Sequence, residues 1–137
     1  MDPGIKVQKG YFAYDSGIKE KVFVCESQKN SSPIVGKVWP GECVFPDFLN
    51  QNTRVWWGNL VKDFMQKVGH CGIWNDMNEV ALFCPGKTLP NEAYHNADQE
   101  LGGGGDHLRY HNVYGMMMAK STRDAMQTRT ISYSFNL

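Results

Sequence analysis

Between Asn52 and Val68 the apolar residues Trp56, Trp57, Leu60, Val61, Phe64, Met65 and Val68 recur at spacings of three and four. That period predicts an amphipathic helix. Asn52 or Thr53 can cap its start, and Gly69 suits its end. A short run bounded by glycine, Cys71-Gly-Ile-Trp-Asn75, follows at once and reads as a buried strand. Residues 85–105 hold two prolines, several asparagines and the four glycines Gly102 to Gly105, and read as a long surface loop. From Asp106 to Met126, Leu108, Val113, Met116, Met117 and Ala125 mark a second helix. Helix, buried strand, long loop, helix is the order of an α/β fold, in which the functional loop follows the carboxyl end of a strand. Here that loop begins at Asp76.

Upstream of the first helix the pattern is weaker. Residues 5–19 show no clear period and read as loop. Lys21 to Glu26 is rich in β-formers, residues 27–33 favour a turn, and Ile34 to Val38 predicts the returning strand of a hairpin. Trp39-Pro-Gly41 then ends that strand, because Pro40 has no N–H to donate.

The 137 residues, 42% of them hydrophobic, suffice for one modest core but not for a barrel of about 250 residues. The formal net charge is zero, which argues against a nucleic-acid binder or an electrostatic membrane anchor. No apolar run approaches the roughly 20 residues of a membrane span, and the first residues lack the design of a secretory signal. Cys25, Cys43, Cys71 and Cys84 form no C-x-x-C pair, so a zinc ribbon is not expected; scattered thiols fit a cytoplasmic protein.

Side chains of a strand alternate between faces, so Trp74 and Asp76 share one face and Ile73 and Asn75 the other. An indole beside a carboxylate suits a sugar: the ring covers the C–H face of a pyranose, and the carboxylate attacks or stabilises an electron-poor anomeric carbon. The bland alternative has Asp76 capping a turn and Trp74 in the core. Spacing alone leaves both open.

The stretch Gly72-Ile-Trp-Asn-Asp-Met-Asn-Glu79 resembles the nucleophile motif of glycoside hydrolase family 31, the α-glucosidase family. Other stretches match in the family's order: Asp2-Pro-Gly-Ile5, Gly36-Lys-Val-Trp-Pro-Gly41, Phe45-Pro-Asp-Phe48, Trp56-Trp57, His111-Asn-Val-Tyr-Gly115 and Met118-Ala119. The resemblance implies that residues 1–126 are part of a (β/α)8 TIM barrel, with a β-hairpin excursion and a long loop after the nucleophile strand. It implies hydrolysis of α-glucosides or α-xylosides with retention, by double displacement, without cofactor or metal. Asp76 matches the nucleophile, and Glu79 the acidic residue that closes the motif and supports its loop. Trp39, Trp74, Met77 and Phe83 match positions lining the sugar pocket, and Asp47 is assigned a structural role. The partner expected is an α-linked oligosaccharide or glycoside.

The resemblance also implies a second carboxyl group downstream, beyond the motifs present here. Residues 127–137 resemble nothing in the family, although Thr128 to Phe135 alternates like a strand. The chain therefore reads as an internal slice of a catalytic barrel, marginally stable and without turnover by itself. The alternative is a module that binds carbohydrate without cleaving it. Two further readings are weaker. His107 and His111, four apart on one helix, could hold a metal with Asp106 and His95, but a metalloprotease needs Glu where Leu108 stands. Gly102 to Gly105 lacks the Lys-Ser/Thr of a nucleotide loop and reads as a flexible linker.

Overall fold

The structure, a computed structural model, describes residues 1–69 and 72–127. It is mixed α and β. In chain order come β1 (Ile5–Lys6), α1 (Phe12–Glu20), β2 (Gly36–Val38), β3 (Gly41–Val44), α2 (Gln51–Val68), β4 (Tyr94–His95), a 3-10 turn at Gln99–Leu101, β5 (Gly105–Asp106) and α3 (His107–Gln127). A three-stranded antiparallel sheet runs β1-β3-β2, and β4 pairs with β5. Cys71 and the strand-like run Thr128 to Phe135 lie outside the described residues. No helix among the described residues is long and apolar enough to cross a membrane.

The two periodic helices form where their spacing places them. Asn50, not Asn52 or Thr53, caps α2: its side chain accepts the Asn52 N–H at 2.9 Å. Thr53 instead donates to the Val22 carbonyl at 3.1 Å. Trp56, Trp57, Val61 and Met65 go inside, while Phe64 and Val68 stay exposed. The inward face of α3 is more polar than its apolar marks suggest. Tyr110, Tyr114, Met117, Met118, Ser121, Thr122 and Ala125 are buried, whereas Leu108, Val113 and Met116 face outward. Phe48 joins the two helices, packing edge-on against Trp57 at 5.1 Å and Tyr114 at 5.4 Å. Each large apolar side chain so buried contributes about 1.5–3 kcal/mol.

Three upstream expectations are corrected. Residues 12–20 are a helix, not a loop. Its large residues Phe12 and Ile18 point outward and its buried positions are the small Ala13 and Gly17, so no apolar period is visible. Gly17 is required there, since a Cβ would overlap the Phe23 ring. The expected hairpin is short: residues 24–26 meet 32–34 through an antiparallel bridge at Cys25–Pro33 and the Ile34 N–H to Val24 carbonyl bond at 2.9 Å, and the regular ladder belongs to the next turn. β2 pairs with β3, and Trp39-Pro40 is its turn, closed by Gly41 at φ +101°. Pro40 sits where no ladder donor is needed. Residues 22–25 are extended and buried but make only isolated bridges, Phe23 to Pro46 and Cys25 to Pro33 and Tyr94.

The long loop is a packed strap. Leu89, Ala93, His95 and Ala97 are buried within it. Asp98 anchors it on α2, accepting the Gln51 N–H at 2.9 Å and pairing with Arg54 at 2.7 Å. The glycine run is a folded turn, with Gly102, Gly103 and Gly104 all at positive φ. Arg109 and Tyr110 occupy the space beside Gly102.

A buried polar line ties the strap to the rest. The Asp47 carboxylate accepts the N–H of Asn96 at 2.6 Å and of Leu49 at 3.3 Å, and lies 2.8 Å from His95 Nδ1. His95 Nε2 lies 2.9 Å from His107 Nδ1, and His107 Nε2 lies 3.1 Å from His111 Nδ1. Burial, helped by the neighbouring His95 and His111, lowers the His107 pKa from 6.5 to about 4. Between those values the unfolded chain binds a proton that the folded ring refuses. Stability is therefore whole above pH 6.5 and falls as pH drops toward 4, by up to about tenfold in the folding equilibrium per unit. Urea titrations from pH 7.5 to 4.5 should show this slope, and His107→Phe should flatten it even if the variant is weaker at pH 7.5.

Candidate functional site

Residues 72–76 form no regular strand, but their exposure alternates: Gly72, Trp74 and Asp76 outward, Ile73 and Asn75 half-buried. The shared face expected for Trp74 and Asp76 is present, and it is an open face. Trp74 is 80% exposed, so the expectation of a strand buried on both sides does not hold within these described residues. One neighbour lies alongside. The amino group of Met1 donates to the Trp74 carbonyl at 2.5 Å, and the Asp76 N–H donates to the Met1 carbonyl at 3.1 Å. A single residue bonded to two positions two apart is the pattern of parallel strands.

Behind this face stands α3. The Trp57 indole N–H donates to Thr122 Oγ1 at 3.0 Å, and the Thr122 hydroxyl donates to Asn75 Oδ1 at 3.2 Å. The back of the segment is thus held to both long helices through one hydroxyl. One residue past Met77, Asn78 donates to the Gly115 carbonyl at 3.3 Å. A Cβ on Gly115 would come within 2.7 Å of the Asn78 carbonyl oxygen, so only glycine lets the loop lie this close. Sequence reasoning did not single out Asn75, Asn78 or Thr122 for the site. Gly115 offered a signal, since glycine inside a helix costs about 1 kcal/mol and needs a reason.

On the front, the structure brings together Trp39, Met77 and Phe83. Trp39 lies at the β2–β3 turn and its indole N–H meets the Met77 sulfur at 2.9 Å. Its ring packs edge-on against Phe83 with centroids 4.8 Å apart. Phe83 is delivered by its own N–H, which donates to the Lys37 carbonyl at 2.8 Å, and by Leu82, which fills the space a Gly36 side chain would need. Met77 takes a left-handed conformation at φ 54°, unusual for a residue with a Cβ. Its N–H donates to Asp76 Oδ1 at 2.9 Å, which pins one carboxylate oxygen. Glu79 is exposed and makes no side-chain hydrogen bond or ion pair among the described residues. The imidazoles of His95, His107 and His111 face one another nitrogen to nitrogen rather than converging on a point. No group of three or more His, Cys, Asp or Glu among the described residues is arranged to hold a metal.

Asp76 presents an exposed carboxylate next to Met77, whose sulfur meets the Trp39 indole that packs on Phe83. The glycosyl hydrolases family 31 TIM-barrel domain matches residues 1–136. The chain belongs to glycoside hydrolase family 31. It is 39% identical over 127 residues to alpha-glucosidase 2 of Bacillus thermoamyloliquefaciens, covering 93% of this chain and 15% of that protein. It is 42% identical over 90 residues to alpha-xylosidase 1 of Arabidopsis thaliana, covering 65% of this chain and 10% of that one. A solved glucosidase II alpha subunit, bound to alpha3-Glc2, superposes with a TM-score of 0.83 at 30% identity over 96% of this chain and 14% of its own. This family 31 chain thus spans between about a tenth and a seventh of the length of these three proteins.

Substitutions at two positions test the supports. Gly36→Ala should displace Leu82, destabilise the fold by about 1–3 kcal/mol and loosen the Trp39–Phe83 contact, read by urea titration and tryptophan fluorescence. Thr122→Val keeps the shape but strands the Trp57 N–H and the Asn75 oxygen. It should cost about 1–3 kcal/mol, while Thr122→Ser should cost less than half of that.

Proposed function

We propose that this chain is the nucleophile-bearing part of a (β/α)8 barrel that hydrolyses α-glucosides or related α-xylosides with retention. The observation that carries the reading is the common open face of Trp74 and Asp76 beside the Trp39–Met77–Phe83 cluster. The family membership and the α-glucosidase and α-xylosidase relatives support the substrate class. Asp76 attacks the anomeric carbon and forms a covalent glycosyl-enzyme. A second carboxyl group, about 5–5.5 Å away in retaining enzymes, protonates the leaving oxygen and later deprotonates the attacking water. On this reading that group is expected downstream of the motifs in residues 1–126, and this chain alone should give no turnover. Trp39, Trp74, Met77 and Phe83 face the sugar. Glu79 is assigned to the support of the loop, not to the reacting atoms.

Grafting residues 1–127 into alpha-glucosidase 2 of Bacillus thermoamyloliquefaciens, in place of its matching segment, supplies the rest of a barrel. The chimera should release the aryl group from an aryl α-glucoside. Asp76→Asn should lower that rate by about 10⁴-fold or more, the scale on which removal of a nucleophile acts. A 5-fluoro glycosyl fluoride should leave its label on the peptide containing Asp76. A chimera that turns over normally with Asn at 76, or carries the label elsewhere, rules the reading out. The exposure of Trp39 and Trp74 also suits sugar binding without cleavage. A chimera that binds the glycoside yet shows no release dependent on Asp76 would favour that second reading.

A further inference from the structure

We propose that Asp47, His95, His107 and His111 form a proton relay, which takes up a proton at His111 and holds the charge on His95 against Asp47. The reading rests on the line of contacts, not on the glycosidase assignment. Asp47, His95 and His107 are almost fully buried, whereas His111 is half-buried and is the member nearest solvent. The three nitrogen contacts lie at 2.8, 2.9 and 3.1 Å, and they use both nitrogens of His95 and of His107.

Such a line allows one arrangement while Asp47 is ionised and no proton is added, and with one added proton it can carry the charge to His95 with every contact kept. A carboxylate only accepts, so His95 Nδ1 carries hydrogen and its Nε2 is an acceptor when the ring is neutral. His107 must then donate through Nδ1 and accept through Nε2, and His111 must donate through Nδ1. All three rings are Nδ1–H tautomers. In the second arrangement a proton binds His111 Nε2. The His111 Nδ1 hydrogen passes to His107 Nε2, and the His107 Nδ1 hydrogen passes to His95 Nε2. His95 is now an imidazolium against the Asp47 carboxylate, and His107 and His111 are neutral Nε2–H tautomers. Each N–H bond broken is matched by one formed, with one proton gained, and every contact in the line survives.

The surroundings fit passage of charge through the middle ring rather than storage on it. His107 resists holding a proton, as its lowered pKa indicates. Asp47 supplies the negative charge that would hold one at His95. The other titratable groups around the line are Cys25, whose thiol burial pushes up, and Tyr114, whose phenol burial and Asp47 push well up. Tyr110 lies edge-on to His95 at 5.7 Å, with the Arg109 guanidinium over its outer face. Tyr94 of β4 and Asp106 of β5 sit at the same end of the strap. The effect is to convert a buried carboxylate–imidazole contact into an ion pair joining the segment before α2 to β4.

Long-range ¹⁵N–¹H NMR of the intact chain reads the tautomer of each ring directly. At pH 7.5 the three rings should all show Nδ1–H. On acidification His95 should become protonated on both nitrogens, while His107 and His111 reverse to Nε2–H in the same step. His107→Phe, which keeps a ring but no nitrogen, should uncouple the ends so that His111 titrates by itself. An imidazolium on His111 with His107 still Nδ1–H overturns the relay. So does a chain whose rings titrate independently, or one that takes up no proton at these rings before it unfolds.

Discussion

The Asp47 carboxylate is the contact on which the arrangement depends. It takes two backbone N–H groups and faces His95, all away from water. A buried carboxylate without such partners would be costly, and with them it fixes the geometry of whatever supplies them. Here the suppliers are the segment leading into α2 and the strap between β4 and α3. Once the strap is fixed, His95 sets the start of α3 through His107. Eight residues further along α3, Gly115 meets the loop after Asp76.

α3 therefore acts on the site from behind. It touches residues 72–76 at Thr122 and the following loop at Gly115, about two turns apart along the helix. The front wall comes from elsewhere: the β2–β3 turn contributes Trp39, and the loop carried by Leu82 contributes Phe83. Met77 belongs to both, since its backbone holds Asp76 and its sulfur meets Trp39. Front and back are thus joined through the segment that carries the carboxylate.

Period was the legible part of the sequence. The helix expected over 52–68 forms over Gln51–Val68, and that over 106–126 forms over His107–Gln127. The alternation that places Trp74 with Asp76 is visible in the exposure of residues 72–76. What escaped has physical causes. α1 buries small residues and shows large ones, the reverse of the usual signal. Residues 21–26 look like one half of a hairpin with 34–38, but they keep only a bridge to Pro33, because β2 pairs with β3 across a proline turn. The strap appears polar because what it buries is His95, held by hydrogen bonds, and mostly small residues. For the same reason Asn75, Asn78 and Thr122 carried no periodic mark.

The two-residue rhythm of 72–76 has a further consequence for what this segment tolerates. Replacing one of its side chains alters one contact. Inserting or deleting a single residue would rotate everything after it by half a turn, sending Asp76 toward α3 and Asn75 toward the open side. The turn at residues 27–33, exposed over most of its length, faces no such parity. Length, more than composition, is the guarded property of the stretch that ends at Asp76.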